Sequence, residues 1–233
     1  MARAAVIVVD MQRGLLQRAK PAHRLDEVVA GINRLTAAAR AAGAPVCFVQ
    51  HDGGADDDVV PGTPGWRLHA ELTCADADWR IRKRASDAFH GTPLAAQLAA
   101  HGVDAVVICG YASEFCVDSA ARRAALLGYR TTVVSDLHTT NDRAHLSAAQ
   151  IVAHHNFIWS HCSFSGNGVA PRPRSAGTGF ITRAPRRRGR GCASWARLAD
   201  GAGDARRCGG AARRRREPVR GDLRRAVRRR WRA

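Results

Sequence analysis

The chain has 233 residues and a formal net charge of +17 at pH 7, a balance typical of proteins that bind nucleic acids or membrane surfaces. The charge is uneven, because residues 161–233 hold 21 Arg against four Asp and Glu, whereas the first 160 residues are neutral. All of the excess charge therefore lies in the last third of the chain, and the first 160 residues are an ordinary neutral domain. No apolar run reaches the ~20 residues that a membrane span needs.

The first 160 residues alternate short apolar runs with longer amphipathic stretches. The apolar runs predict strands that are buried on both faces. The predicted strands are Ala4–Val9, Pro45–Gln50, Trp79–Arg82, Val103–Cys109 and Arg130–Ser135. The predicted helices are Leu25–Ala42, Thr92–Gly102, Phe115–Leu127 and Asp142–His155. This alternation predicts an α/β domain over residues 1–160, with an open, mostly parallel, Rossmann-like sheet of five to six strands and helices on both faces.

The composition changes after Trp159. Residues 161–233 are rich in Arg, Ala, Gly and Pro, and Ser163–Arg174 contains no apolar run that would predict a last strand. Such a composition buries too little apolar area to offset the entropy of ordering, so a disordered tail is expected. Because GC-rich codons read in another phase give these same residue types, one hypothesis is a frameshifted tail. The alternative is an arginine-rich arm that binds nucleic acid non-specifically through its phosphates.

Three residues suited to catalysis follow predicted strands. Asp10 ends the first strand, Lys83 follows the third and Cys116 follows the fourth. Open α/β sheets bind ligands at the carboxyl ends of their strands, so these side chains are expected to meet there. A helix start and an ammonium both lower the pKa of a thiol, and a carboxylate accepts its proton, which together suit covalent acyl transfer. Taken singly, the cysteine is typical of packing, the aspartate of a cap and the lysine of a charged edge.

Four segments, in order, resemble the isochorismatase-like cysteine hydrolases, a family that includes nicotinamidases, N-carbamoylsarcosine amidohydrolases, ureidoacrylate amidohydrolases and isochorismatase. The segments are Ala5–Gln12, Lys83–Leu94, Val106–Arg122 and Gly128–Thr140, within residues 4–160. The resemblance implies that Asp10 is a general base, Lys83 its cationic partner and Cys116 the nucleophile. It also implies a cis peptide between Tyr111 and Ala112, and an oxyanion hole formed by the amides of Ala112 and Cys116.

The reaction implied by this resemblance is hydrolysis of an amide-type C–N bond of a small molecule, through a thioester on Cys116. The side chains expected to wall the substrate pocket are Gln12, Trp66, Phe89 and Tyr111. A full Asp–Lys–Cys set disfavours the vinyl-ether cleavage of isochorismate. A catalytically impaired pseudoenzyme or interaction module is the alternative, because the predicted sheet lacks its last edge strand.

No metal and no cofactor are expected. Where nicotinamidases carry an Asp-x-His metal-binding pattern, Gln50–Gly54 reads QHDGG, and His69 does not restore the spacing. Seven cysteines without a CxxC pair indicate neither a disulfide framework nor a zinc knuckle, and the short N-terminal apolar run lacks the features of a signal peptide. A reduced, cytoplasmic protein is therefore expected, and the resemblance also implies a homo-oligomer.

Overall fold

Strand β1, Ala4–Val9, lies at the centre of a sheet, because all six of its side chains are apolar and all are buried. In the computed structural model, which describes residues 3–164 and 167–173, seven strands form this sheet. The others are β2 (Val46–His51), β3 (Trp79–Lys83), β4 (Ala105–Tyr111), β5 (Arg130–Thr139), β6 (Ser163–Phe164) and β7 (Asn167–Arg172).

The strands lie in the order β3-β2-β1-β4-β5-β7-β6 across the sheet. Every neighbouring pair is parallel except the short pair of β6 with β7. The chain builds outward from β1 on one side through β2 and β3, and on the other side through β4 and β5. The sheet therefore has a topological switch point between β1 and β4, where open α/β sheets bind their ligands beyond the carboxyl ends of the strands.

Helices cover both faces of the sheet. They are α1 (Arg13–Leu16), α2 (Leu25–Ala41), α3 (Leu94–Ala100), a π-helix (Ser113–Val117), α4 (Asp118–Leu126) and α5 (Ala148–His161). On one face, Ile7 and Val9 of β1 belong to a core with side chains from α3, α4 and α5, whereas Val6 and Val8 belong to a core with α1 and α2 on the other. The predicted α/β architecture, with an open and mostly parallel sheet, is confirmed.

Strand β7 was not expected from the sequence, and the prediction that no strand follows Trp159 is wrong. Asn167–Arg172 pairs in parallel with β5, and its Val169 is buried in the core. The unpaired edge of β5 decides this, because strand pairing outweighs the weak strand propensity of these residues. Pro171 has no N–H to donate to a neighbouring strand. It is tolerated because, in the described part of the chain, β6 pairs only with Asn167 and Gly168 on the outer side of β7, so no strand pairs with Pro171 on that side.

Helix α5 begins later than predicted, at Ala148 rather than at Asp142. Ser147 forms a capping box in which its hydroxyl accepts the Gln150 N–H and its own N–H donates to the Gln150 side chain. Asp142 lies outside the helix, where its carboxylate accepts the Ala148 N–H at 2.9 Å. The reciprocal cap therefore fixes the start of the helix, and the apolar periodicity before it belongs to a loop.

Disorder was predicted for the arginine-rich tail, residues 161–233. Within this range Ser163–Phe164 and Asn167–Arg172 form strands, and residues from 174 onward lie outside the described residues. The boundary between domain and tail at residues 160 and 161 stays a prediction. Of the helices that the structure describes, none combines the length and the apolar character needed to cross a membrane.

Candidate active site

The carboxyl ends of four neighbouring strands bring polar groups to one edge of the sheet. Asp10 follows β1, while His51, Lys83 and Tyr111 are the last residues of β2, β3 and β4. His51 and Lys83 are direct partners in the register of β2 and β3. Cys116 reaches the same edge from the π-helix that follows β4, so the three residues predicted to carry the chemistry meet.

Lys83 links the other two members of this group. Its side chain is fully buried, and Nζ lies 2.7 Å from the Asp10 carboxylate and 3.2 Å from Cys116 Sγ. The ammonium also donates to the carbonyl oxygen of Ala85 at 3.0 Å, so its three hydrogens have three acceptors. Asp10 and Cys116 also lie close enough for each to shift the pKa of the other. The three side chains therefore form a closed ring of contacts.

The pKa of the Cys116 thiol differs from the expectation that a helix start and a nearby ammonium lower it. Burial, reinforced by the Asp10 carboxylate, raises the pKa of Cys116 from its usual 9.0 to about 12, although the Lys83 ammonium opposes the rise. The predicted lowering of the thiol pKa is therefore wrong, because the ammonium cannot offset burial and the neighbouring carboxylate together. The proton stays on sulfur until a base removes it.

The two other groups are also shifted. Burial raises the pKa of Asp10, against the opposing charge of Lys83. Burial disfavours the charge of Lys83, but the neighbouring Asp10 and Cys116 outweigh it and raise the pKa of the ammonium, which stays protonated at neutral pH. A carboxylate with a raised pKa beside a thiol is a better proton acceptor than an exposed one, so Asp10 is suited to take the thiol proton.

The backbone brings the ends of β1 and β4 close together. Asp10 has a φ of 48°, a left-handed conformation that is uncommon for non-glycine residues and concentrated at functional sites. Gly110 has a φ of 121°, and a Cβ there would lie 2.1 Å from the Val9 carbonyl oxygen. Only glycine therefore fits at this point. The next peptide bond, between Tyr111 and Ala112, is cis.

The Ala112 carbonyl anchors the π-helix that carries Cys116. It accepts hydrogen bonds from the amides of Phe115 and Val117, both at 3.1 Å. Ala112 and Cys116, the two residues predicted to form an oxyanion hole, both line the cavity beside the sulfur. The hole itself stays a prediction.

A buried side-chain network supports the start of this helix. Ser113 Oγ lies 2.8 Å from Nδ1 of His138, whose Nε2 lies 3.1 Å from Oδ1 of Asn156. Asn156 donates its amide to the Ser135 carbonyl, so its Oδ1 accepts from His138 and the Ser113 hydroxyl donates to Nδ1. Burial lowers the pKa of His138 to about 4, so the ring is neutral at physiological pH. No sequence motif marked these residues, because they come from three separate elements.

A cavity of about 280 Å³ opens beside Cys116 Sγ. Of the four side chains expected to wall it, Tyr111 lines the cavity, whereas Gln12, Trp66 and Phe89 do not. Gln12 is fully buried, and its side-chain amide bonds both the N–H and the carbonyl of His51, at 2.7 and 3.0 Å. Gln12 therefore fixes the end of β2 and acts behind the cavity.

Trp66 and Phe89 have structural roles away from the cavity. The Trp66 indole N–H donates to Asp52 at 2.9 Å, and the Arg82 guanidinium lies 5.2 Å from its ring centroid. Phe89 is buried and stacks on Tyr129, with ring centroids 6.1 Å apart. Both aromatic residues fill space that the sequence alone does not distinguish from a pocket wall.

Two arginines that sequence reasoning missed line the cavity. Arg143, in the loop before α5, donates its Nε to Glu114 at 2.7 Å and lies 5.2 Å from the ring centroid of Phe115. Arg18, in the loop after α1, pairs with Asp58 at 2.9 Å. Basic residues in loops have no periodicity and no motif, so only the fold identifies them.

Metal binding finds no support in the region that the structure describes. Within residues 3–164 and 167–173, no three His, Cys, Asp or Glu side chains are arranged to hold a metal ion. Asp52, one of the residues considered for such a site, is engaged by Trp66 and by Arg82.

Comparison with known proteins places these residues in a family context. Residues 4–159, well over half of the chain, match the family model described as the Isochorismatase domain. A streptothricin hydrolase of Streptomyces noursei is 38% identical over 138 residues, which are 59% of this chain and 50% of that protein. The uncharacterized isochorismatase family protein YecD of Escherichia coli O157:H7 is 35% identical over 167 residues, which are 66% of this chain and 85% of that protein.

The fold is shared with solved structures. The crystal structure of an isochorismatase from Pseudomonas putida KT2440 matches with a TM-score of 0.68 at 30% identity, over 75% of this chain and 89% of that chain. The present chain spans about half the length of the streptothricin hydrolases that it matches.

Proposed function

This chain belongs to the isochorismatase family, and from that membership we propose that it is a cysteine hydrolase that cleaves an amide-type C–N bond of a small molecule. The observation that carries the proposal is the ring of contacts in which Lys83 Nζ lies 2.7 Å from Asp10 and 3.2 Å from Cys116 Sγ. The names of the streptothricin hydrolases, which record hydrolysis, support the same class of reaction.

Acylation begins with proton transfer from Cys116 to Asp10. The raised pKa of the thiol means that the sulfur needs this base, and the raised pKa of Asp10 makes it a stronger acceptor. Lys83 stays charged and stabilises the thiolate as it forms. The sulfur attacks the amide carbonyl carbon, and in this proposal the amides of Ala112 and Cys116, residues that both line the cavity, hold the oxyanion.

Collapse of the tetrahedral intermediate breaks the C–N bond. Asp10, now protonated, gives its proton to the departing nitrogen, which leaves as ammonia or an amine. The thioester on Cys116 is then attacked by water, with Asp10 again accepting a proton. The carboxylic acid product leaves, and the thiol is restored. The cycle consumes one water and needs no other reactant.

The proposal is tested by ammonia release from a panel of small primary amides, carbamoyl compounds and ureido compounds. We expect at least one class to be hydrolysed by the intact chain and not by a Cys116→Ala variant. Cys74→Ala is the matched control, because Cys74 is half-buried, is not bonded to another cysteine and lies outside the cavity. Activity that survives Cys116→Ala, or a panel without any turnover, contradicts the proposal, and the second result favours the pseudoenzyme alternative.

The arginine-rich tail supports a second candidate function. Its 21 Arg against four Asp and Glu suit non-specific binding to nucleic-acid phosphates. The full chain should then bind single-stranded RNA with an affinity that falls steeply with salt, and a chain ended at residue 173, which keeps β7, should not. If both bind RNA alike, the tail has no such role.

Location and assembly complete the proposal. The five cysteines in the described part of the chain are all free, which suits a reducing, cytoplasmic environment. We also propose a homo-oligomer, whose interface would cover exposed apolar side chains such as Leu126, Leu127 and Phe157. Sedimentation of the purified chain as a monomer would contradict the proposed assembly.

A further inference from the structure

The cavity beside Cys116 shares two lining residues with a second, outer cavity. The outer cavity has a volume of about 380 Å³ and extends from the loop after α1 to the N-terminus of α5. Arg18 and Arg143 line both cavities, so these two side chains lie at the boundary between them. The inner cavity, at about 280 Å³, is close to the lower limit for ligand pockets, about 300 Å³, so a longer substrate needs space beyond it, and the outer cavity is its neighbour. The space available therefore suits a substrate longer than a minimal amide.

The outer cavity is positively charged. Its lining contributes the cations of Arg18, Lys20 and Arg143, together with His23, against one carboxylate, that of Asp142. That carboxylate is occupied in part, because it accepts the N–H of Ala148 at the start of α5. Within the lining of the outer cavity, the positive charges therefore outnumber the negative charge.

The ion pairs of the two shared arginines hold them in place from outside the outer cavity. Arg18 pairs with Asp58, and Arg143 pairs with Glu114, and neither acid lines the outer cavity. Arg143 is further held by its contact with the Phe115 ring and by its NH2 group, which donates to Thr140 at 3.2 Å. A guanidinium has five N–H donors, and the contacts named here use only some of them, so donors remain for a planar anion such as a carboxylate.

Lys20 adds a charge without a compensating acid. Among the described residues, no acidic side chain forms an ion pair with it. Its carbonyl oxygen accepts from the Asn141 side chain at 3.2 Å, which ties the loop that carries it to the loop before α5. The two loops that form the outer cavity are thereby joined.

We propose that the substrate is an amide with an anionic arm, whose reacting carbonyl lies beside Cys116 while a carboxylate on the arm reaches Arg18, Arg143 and Lys20 in the outer cavity. This inference rests on the proposed function, since it takes Cys116 as the reacting group. It adds the substrate class, and it excludes amides whose arm is cationic. The Asp57 carboxylate lines the inner cavity and not the outer one, so it does not face an anion bound in the outer cavity.

The experiment uses three alkylating reagents that differ only in the end of a six-carbon arm: iodoacetamidohexanoate, N-hexyliodoacetamide and N-(aminohexyl)iodoacetamide. Each one forms a carbon–sulfur bond with the Cys116 thiolate and releases iodide. The rate of Cys116 modification in the full chain is followed by peptide mass spectrometry. We expect the carboxylate reagent to react about tenfold faster than the neutral reagent, the value of one charge-assisted hydrogen bond, and the ammonium reagent to react more slowly than both.

Matched variants locate the effect. Arg18→Gln and Lys20→Gln should each reduce the preference for the carboxylate reagent several-fold, and added salt should reduce it further. Arg34→Gln, on the exposed face of α2, removes the same charge away from both cavities and should keep the preference. Both test residues are exposed, so folding is not at risk.

The outcomes separate the inference from the function on which it rests. Equal rates for the three reagents at Cys116, or a preference that persists in both Arg18→Gln and Lys20→Gln, overturns the anionic-arm inference and leaves the proposed hydrolase intact. If none of the three reagents modifies Cys116 and the intact chain hydrolyses no amide of the panel, the reactive thiol itself is refuted and the inference fails with it.

Discussion

Replacing Lys83 with Met leaves the Asp10 carboxylate buried without the ammonium that lies 2.7 Å from it. Their side chains are 0% and 1% exposed, so water cannot take the place of the lost partner. Breaking a buried ion pair from one side costs about 3–5 kcal/mol, and we expect the free energy of unfolding to fall by that amount at neutral pH. Adding Asp10→Asn removes the stranded charge, so the double variant should regain most of the loss.

The pH dependence of this loss has a definite sign. Burial already raises the pKa of Asp10, and removing Lys83 raises it further, so the folded variant binds a proton more tightly than the unfolded chain. The loss of stability is therefore largest above the folded pKa of Asp10 and shrinks as the pH falls towards the unfolded value of about 4.

Urea denaturation at neutral pH and at about pH 4 measures both effects for Lys83→Met, for the double variant with Asp10→Asn, and for Arg34→Met on the exposed face of α2. A Lys83→Met loss no larger than that of Arg34→Met refutes the reasoning. So does a double variant that is no more stable than Lys83→Met at neutral pH.

Asp10→Asn removes a carboxylate that raises the pKa of Cys116, so iodoacetamide should label the thiol faster at mildly alkaline pH, while amide hydrolysis falls about 100-fold or more. Slowing of both rates together would contradict these roles. Gly110→Ala should lower the urea midpoint much more than Gly43→Ala. Both glycines have a positive φ, but only at Gly110 would a Cβ lie 2.1 Å from a backbone oxygen of β1. Equal losses of stability would count against the close approach. A chain ended just before β7 should be about 2 kcal/mol less stable than one ended just after it, because Val169 no longer covers the core, and equal urea midpoints would remove β7 from the folded domain.

Much of the fold follows from local patterns. The continuous apolar run of β1 and the amphipathic helix after it are enough to predict a buried parallel sheet, and the structure contains that sheet. The convergence of Asp10, Lys83 and Cys116 was also predictable, because residues after parallel strands share one edge of the sheet. Their catalytic roles remain a proposal.

The sequence could not predict features that depend on contacts between distant segments. Asn167–Arg172 forms a strand because β5 offers an unpaired edge, and nothing within those residues signals it. Gln12 lies next to Asp10 in sequence and was expected in the pocket, but its bonds to His51 turn it behind the cavity. Arg18 and Arg143 had no signal at all, since their role depends on loops that only the fold brings together.

The charge state of the nucleophile was also beyond the sequence. A helix start and a nearby lysine favour a thiolate, and both features are present at Cys116. Burial and the Asp10 carboxylate outweigh them and raise the pKa of the thiol to about 12. The burial of a side chain is a property of the packed structure, so the sign of this shift was not available from residue types and spacing.

The central claim is that Cys116 attacks an amide and carries the acyl group as a thioester. Acid quenching during turnover on the amide panel, followed by peptide mass spectrometry, tests it directly. The account predicts that the peptide containing Cys116 gains the mass of the acyl group in the intact chain, and that Cys116→Ala gives neither this adduct nor ammonia. Ammonia release without acylation of Cys116, or release that persists in Cys116→Ala, would contradict the account.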